Sequence, residues 1–239
     1  MNILRGFGAD ADGTAGGGLS ARVAIAYHRN MNATSRSSHP AQLYAIIPAA
    51  GRSRRMGRPK SLIDVRGQPM LARVVEPLVA AGLEGVLIVT NAALAARLGG
   101  LGAAVAVNPD PAAEMIDSVR LGMRWWEAAR PIGPQDGFVV CPGDQPGLTA
   151  RDIAACAAAY RREPARIVIA GHGGRRGHPL IFPAARRDFV YSPACDYGLN
   201  QLARRHAADV VTVDLPNPAV IRNVNTPTDL ARLITDEPD

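Results

Sequence analysis

The stretch "IIPAAGRSRRMGRPKSL", residues 46–62, sets Arg52, Arg54, Arg55, Arg58 and Lys60 directly behind an apolar run, with Gly51 and Gly57 spaced among them. Glycines let backbone N–H groups turn inward around an anion and the side chains add positive charge, so a polyphosphate is the natural guest. The spacing is not a Walker A loop, because no Gly-Lys-Ser/Thr closes it, and it is not a GxGxxG turn. An ATPase or a dinucleotide dehydrogenase is therefore poorly supported. Far downstream, Asp144 in "GFVVCPGDQPGLT" follows another apolar run and precedes a proline turn. That is a place where a carboxylate can hold a hard cation against phosphate oxygens.

Such residues need a frame that presents them together. From residue 43 the runs "LYAIIP", "GVLIVT", "AAVAVN", "GFVVCP" and "RIVIAG" alternate with Ala/Leu/Arg-rich segments at helical spacing. The spacing predicts helices over about 69–82, 91–99, 112–129, 149–162, 197–207 and 226–235. Short apolar strands interleaved with helices mean βαβ units and a mostly parallel sheet covered on both faces. Ligands of such sheets bind beyond the carboxyl ends of the strands, where the loops of interest fall. Thr149 is placed to cap the helix that follows it, and Pro227 after Thr226 suits a first helical position.

Composition narrows the class. With 239 residues the chain can build one sizeable α/β domain without a disulfide or structural metal. Aromatics make up 5% of the residues, which disfavours a single-strand nucleic-acid surface; the formal charge of +6 fits an anionic small substrate as well as RNA. Cys141, Cys156 and Cys195 have neither CxxC nor metal-ligand spacing, and with no apolar stretch long enough for a membrane helix the expectation is a cytoplasmic protein. Residues 1–40, rich in Gly, Ser, Ala and Asn, read as a disordered extension, and residues 41–239 as a single domain.

The ordered pattern "AAGRSRRMGRPK" followed by "VRGQPML" resembles the signature of the MobA-like nucleotidyltransferases, the molybdenum-cofactor cytidylyltransferase and guanylyltransferase group. The resemblance spans roughly residues 43–235 and implies a three-layer, Rossmann-like nucleotidyltransferase fold of GT-A-like type with a mostly parallel sheet. It places Ala49, Ala50, Gly51, Ser53 and Gly57 on the nucleotide-phosphate loop, with Arg55 and Lys60 as the cations on the triphosphate. Arg52, Arg54 and Arg58 stand at variable positions. "GDQP" matches the element whose aspartate, here Asp144, binds magnesium. "VIRNVNTPTDL" matches a DIDTP element, but Asn223 and Asn225 replace both aspartates. The second metal ligand is then the neutral Asn225, or its side chain instead caps the last helix with Thr226.

In "NPDPAAEMIDSVRLGM", Asn108, Ser118 and Gly122 match the segment that faces base and ribose, whereas Glu114 stands where glycine is usual and Asp117 where serine often appears, which implies an altered base pocket. "GRRGHPLIF" matches a strand lining the acceptor side and brings His178 and Pro179 there; Asp196 and Gly198 match a further acceptor-side segment loosely.

What this implies is an Mg²⁺-dependent transfer of a nucleoside monophosphate from an NTP to a phosphorylated small-molecule acceptor such as molybdopterin, with release of pyrophosphate and a molybdoenzyme as downstream partner. The opening "PAAG", Pro48–Gly51, leans toward CTP over GTP. An acceptor that is itself a phosphate is already ionised, consistent with the lack of a catalytic triad or carboxylate pair. Two alternatives stand beside it: transfer to a sugar phosphate or other phosphorylated metabolite, and a non-catalytic nucleotide- or cofactor-binding maturation protein. Neither nucleic acid nor membrane is expected as a partner.

Overall fold

The computed structural model describes residues 40–51 and 59–236. The expected disordered extension therefore lies outside the described residues apart from Pro40, as do Arg52, Ser53, Arg54, Arg55, Gly57 and Arg58. The described residues belong to one compact unit.

In chain order the elements are β1 (Leu43–Pro48), β2 (Asp64–Val65), β3 (Gln68–Pro69), α1 (Met70–Ala80), β4 (Gly85–Thr90), α2 (Ala92–Ala95), β5 (Ala104–Val107), α3 (Met115–Ala129), β6 (Gly137–Val140), α4 (Ala150–Arg162), β7 (Ile167–His172), β8 (Arg175–Pro183), α5 (Arg187–Tyr191), α6 (Asn200–Arg205), β9 (Val210–Asp214) and α7 (Pro227–Asp236). A seven-stranded sheet runs in the order β5-β4-β1-β6-β8-β7-β9. Every strand is parallel to the rest except β8, which pairs antiparallel with both β6 and β7. The mostly parallel α/β sheet expected from the sequence is thus present.

Alternation along the central strands builds the layers. Leu43, Ala45 and Ile47 of β1 enter one core with α1 and α4, while Tyr44 and Ile46 enter the opposite core with α3 and α6. Helix α3 buries Ile116, Val119, Met123 and Trp126 at helical spacing. Its Gly122 lies on β1, where an added Cβ would stand 2.6 Å from the Ile46 side chain. A small residue at that position lets helix and sheet close.

Some boundaries differ from the spacing-based expectation. The helix expected over 91–99 is the single turn α2, because Gly99, Gly100 and Gly102 follow and the last two adopt φ of 72° and 69°. The helix expected from 112 begins at Met115, since Pro111 lies in a turn where Asp110 Oδ1 accepts the Ala112 N–H at 2.7 Å. The helix expected over 197–207 is the shorter α6, and β9, α5 and the small β2–β3 hairpin were not anticipated. Among the described residues no helix is long and apolar enough to cross a membrane.

Candidate active site

Strands β1 and β6 are neighbours, but the chain leaves β1 toward β4 and β5 and returns to β6 on the other side. Their carboxyl ends therefore flank the point where strand order reverses, the place where open α/β sheets bind ligands. A cleft of about 820 Å³ opens there. Its walls are Pro48 at the end of β1 with Ala49–Gly51 after it, Lys60 and Ser61, the Pro111–Glu114 segment with Met115 and Ser118 of α3, Pro142–Asp144 after β6, and Asn225.

Each wall is fixed by ordinary packing. Ala49 is tied to β4 by its N–H to the Val89 carbonyl at 2.8 Å and by the Thr90 hydroxyl donating to its own carbonyl at 3.1 Å. Gly143 lies so close that an added Cβ would stand 3.1 Å from the Ala49 side chain. Lys60 opens a 3-10 turn, Lys60–Leu62, which leads into a small third core of Ile63, Val65 and Met70. The same core takes Val224, with Leu230 and Leu233 of α7 packed against it. The Val224 N–H also donates to the Asp144 carbonyl at 2.8 Å. Distant pieces of sequence are in this way brought to one wall.

There the polar atoms converge. Lys60 Nζ donates to Asp144 Oδ2 at 2.7 Å, to Asn225 Oδ1 at 3.1 Å and to the Val224 carbonyl at 3.4 Å. The Lys60 and Asp144 side chains are only 19% and 16% exposed, so water screens the pair poorly. Asp144 Oδ1 is shielded from solvent and has no hydrogen-bond partner among the described residues. The atoms gathered around the Lys60 ammonium are all oxygens, a ligand set suited to magnesium or manganese, although no group of three or more His, Cys, Asp or Glu side chains that could hold a metal ion occurs among the described residues.

The Asn225 side chain does not cap α7. That helix is capped by Thr226, whose hydroxyl accepts the Asp229 N–H at 3.2 Å, while Asp229 Oδ2 takes the Thr226 N–H at 2.8 Å. These bonds hold the Asp229 carboxyl below its usual range, the Thr226 hydroxyl contributing most. Asn223 lies outside the cluster around Lys60 and accepts from Gln145 Nε2 at 2.7 Å. Gln145 is itself buried, and in "GDQP" nothing but its place beside Asp144 marks it in the sequence.

The remaining candidates divide. Ala50, Gly51 and Ser118 line the cleft with Ala49. Asn108 is not among the lining residues: it is buried at the end of β5, its N–H bonded to the Thr90 carbonyl at 2.7 Å and its Oδ1 taking the Asp110 N–H at 3.2 Å. Glu114 lines the cleft, and Asp117 Oδ2 accepts the Glu114 N–H at 2.9 Å, so the pair departing from the family pattern opens α3. A Glu-x-x-Asp spacing before an apolar run was the available signal.

His178 and Pro179 lie on the first half of β8, outside the cleft lining. Because β8 runs antiparallel and Leu180 pairs with Val140, these residues continue past the carboxyl end of β6, alongside the loop that carries Asp144. Burial pushes the His178 imidazole down to about 4, against the opposing pull of the Asp144 charge and a hydrogen bond to the Val140 carbonyl. The ring is neutral near pH 7, and its Nδ1 has no hydrogen-bond partner among the described residues. Gly177 is pressed onto the 3-10 turn Pro218–Ile221, where an added Cβ would stand 1.8 Å from the Val220 carbonyl.

Comparison with known proteins agrees with this architecture. A curated relative described as "Probable molybdenum cofactor guanylyltransferase", from Rhodopirellula baltica, is 30% identical over 80% of this chain and 91% of its own length. Another, "Nicotine blue oxidoreductase" from Paenarthrobacter nicotinovorans, is 28% identical over 79% of this chain and 95% of its own. Among solved structures, Rv0371c of Mycobacterium tuberculosis H37Rv covers 82% of this chain and 99% of its own, with a TM-score of 0.69 at 23% identity, a likeness of fold; that protein has also been solved in complex with manganese. A nucleotidyl transferase from Methanothermobacter matches with a TM-score of 0.67 at 20% identity, covering 82% of this chain and 97% of its own. The family model described as "MobA-like NTP transferase domain" matches residues 45–211, and the chain belongs to that family.

Proposed function

We propose that this member of the family transfers a nucleoside monophosphate from an NTP, with CTP preferred, to a phosphorylated acceptor of the molybdopterin type, releasing pyrophosphate. The observation that carries this reading is the meeting of Lys60, Asp144 and Asn225 on one wall of the cleft between the ends of β1 and β6. The relative described as a guanylyltransferase supports the acceptor class. The Pro48–Gly51 stretch leans toward cytosine.

In the proposed reaction an acceptor phosphate oxygen attacks the α-phosphorus, the bond to the β-phosphate oxygen breaks, and pyrophosphate leaves. The acceptor oxygen is already ionised near neutral pH, so no general base is needed. What the chain supplies is placement and charge. Backbone amides of Ala50 and Gly51 face the polyphosphate, Lys60 and Arg55 neutralise it, and Ser118 borders the nucleoside. Asn108 supports that border from β5, while His178 and Pro179 border the acceptor. Asp144 and Asn225 would hold the divalent cation. When bound, Mg²⁺ supplies Lewis-acid stabilisation of charge developing on the phosphate oxygens. The protein acts in the cytoplasm in this reading.

The test is pyrophosphate release from purified protein with Mg²⁺, each of the four NTPs, and molybdopterin or a panel of phosphosugars. Release with CTP and molybdopterin is expected. Release with a phosphosugar alone would move the acceptor assignment to that alternative. A second reading, binding without turnover, is favoured by one observation: the two asparagines leave Asp144 as the one carboxylate among the described residues in the cluster around Lys60. Tight nucleotide binding with no pyrophosphate from any acceptor would select it.

A further inference from the structure

We infer that Lys60 is the resident cation of the proposed divalent-metal site, so that metal and nucleoside triphosphate enter as one unit rather than one after the other; this rests on the site assignment under Proposed function. The ammonium is held by the same three oxygens that make the site fit a metal: Asp144 Oδ2 at 2.7 Å, Asn225 Oδ1 at 3.1 Å and the Val224 carbonyl at 3.4 Å. An ammonium has three protons to give, and a small divalent cation would compete for the same atoms.

Charge decides which occupant wins. Asn223 and Asn225 bring no charge, so among the described residues Asp144 is the one carboxylate that faces the Lys60 ammonium. An incoming divalent ion then meets a carboxylate already paired with a like-charged competitor that must first be expelled, and low exposure on both sides keeps that repulsion strong. Asp144 Oδ1 is left without a hydrogen-bond partner among the described residues, so the ion pair does not saturate the carboxylate. The arrangement has the unfinished character of a placeholder.

A polyanionic triphosphate in the cleft gives the ammonium another partner, since Lys60 lines the same cleft as Pro48–Gly51. As the ammonium turns to phosphate, the oxygens it leaves become attractive to the metal. By linkage, each ligand then strengthens the other by the same factor.

Manganese alone, titrated into nucleotide-free full-length protein and followed by electron paramagnetic resonance, is the probe. Lys60→Met is expected to bind Mn²⁺ about tenfold or more tightly than the unchanged protein, because a like charge has been removed from the site. Lys60→Gln, which keeps the stem and a donor but not the charge, is expected to follow it. Adding Asp144→Asn to either variant should erase the gain. Equal or weaker Mn²⁺ binding in both Lys60 variants overturns the inference. Pyrophosphate release by the unchanged protein is read separately: release without the Mn²⁺ gain leaves the proposed function standing and removes this inference, whereas the gain without release does the reverse.

Discussion

Asp144, on the loop after β6, and Asp152, in the first turn of the α4 helix to which that loop leads, are both largely withdrawn from solvent and have opposite fates. Asp152 is 3% exposed and its Oδ2 is crowded with donors: the Thr149 N–H at 2.9 Å, the Thr149 hydroxyl at 2.7 Å and Asn217 Nδ2 at 2.6 Å. Asp144 has Lys60 on one oxygen and no hydrogen-bond partner on the other among the described residues. A carboxylate surrounded by fixed donors is part of the scaffold, in this case the α4 cap and its tie to the segment before Asn223. One left under-satisfied at a cleft wall keeps capacity for a ligand.

The contrast is sharpened most by exchanging each aspartate for asparagine. Asp144→Asn is expected to lower kcat/KM for pyrophosphate release by about 100-fold or more while leaving the unfolding temperature nearly unchanged. Asp152→Asn should do the opposite, costing about 2 kcal/mol in urea unfolding with kcat/KM of the folded protein intact. If Asp152→Asn removed activity without loss of stability, the division between the two would break.

A pH signature in the acid range belongs to the Asp144 side. His178 is held at about 4 in the fold against 6.5 when unfolded, so between those values the unfolded chain binds a proton that the native protein refuses. Stability from this residue is complete above the unfolded value and falls as pH drops toward 4. The urea midpoint should fall by an amount equivalent to about 2 kcal/mol between about pH 7 and pH 5, and His178→Gln should flatten that part of the profile. An unchanged slope in the variant would mean that His178 is not the group responsible.

Smaller effects follow on the Asp152 side. Asn217→Ala removes one donor from that carboxylate and should cost about 1 kcal/mol, measured by the same unfolding curves. Cys156, which feels the Asp152 charge, is pushed up to about 12, chiefly by burial, and burial raises Cys141 and Cys195 as well. All three thiols should resist a disulfide reagent at about pH 8 until the protein is unfolded, because the thiolate is the reacting form.

Much of the site was legible because its pieces are contiguous motifs. The glycine-spaced loop, "GDQP" and "NVNTP" each announce themselves within a few residues, and the strands before them follow from their apolar runs. The resemblance implies that Asp144 and Asn225 share one metal, but the direct Lys60–Asp144 and Lys60–Asn225 contacts were not legible, because they join positions 84 and 165 residues apart and depend on Val224 packing beside Ile63 and Met70. β9 escaped because its residues are at most half-buried and leave no strong apolar run. The length of α2 was overestimated because its Ala/Leu pattern continues toward glycines that end the helix. For Asn225, two uses of one side chain competed, and Thr226 with Asp229 took the capping role.

The central claim is that Asp144, with Lys60 and Asn225, serves nucleotidyl transfer. It is tested most directly by pyrophosphate release with Mg²⁺, CTP and molybdopterin, comparing the unchanged protein with Asp144→Asn. The account predicts release by the unchanged protein, faster with CTP than with GTP, and a loss of about 100-fold or more in the variant. Equal release by both proteins would contradict it.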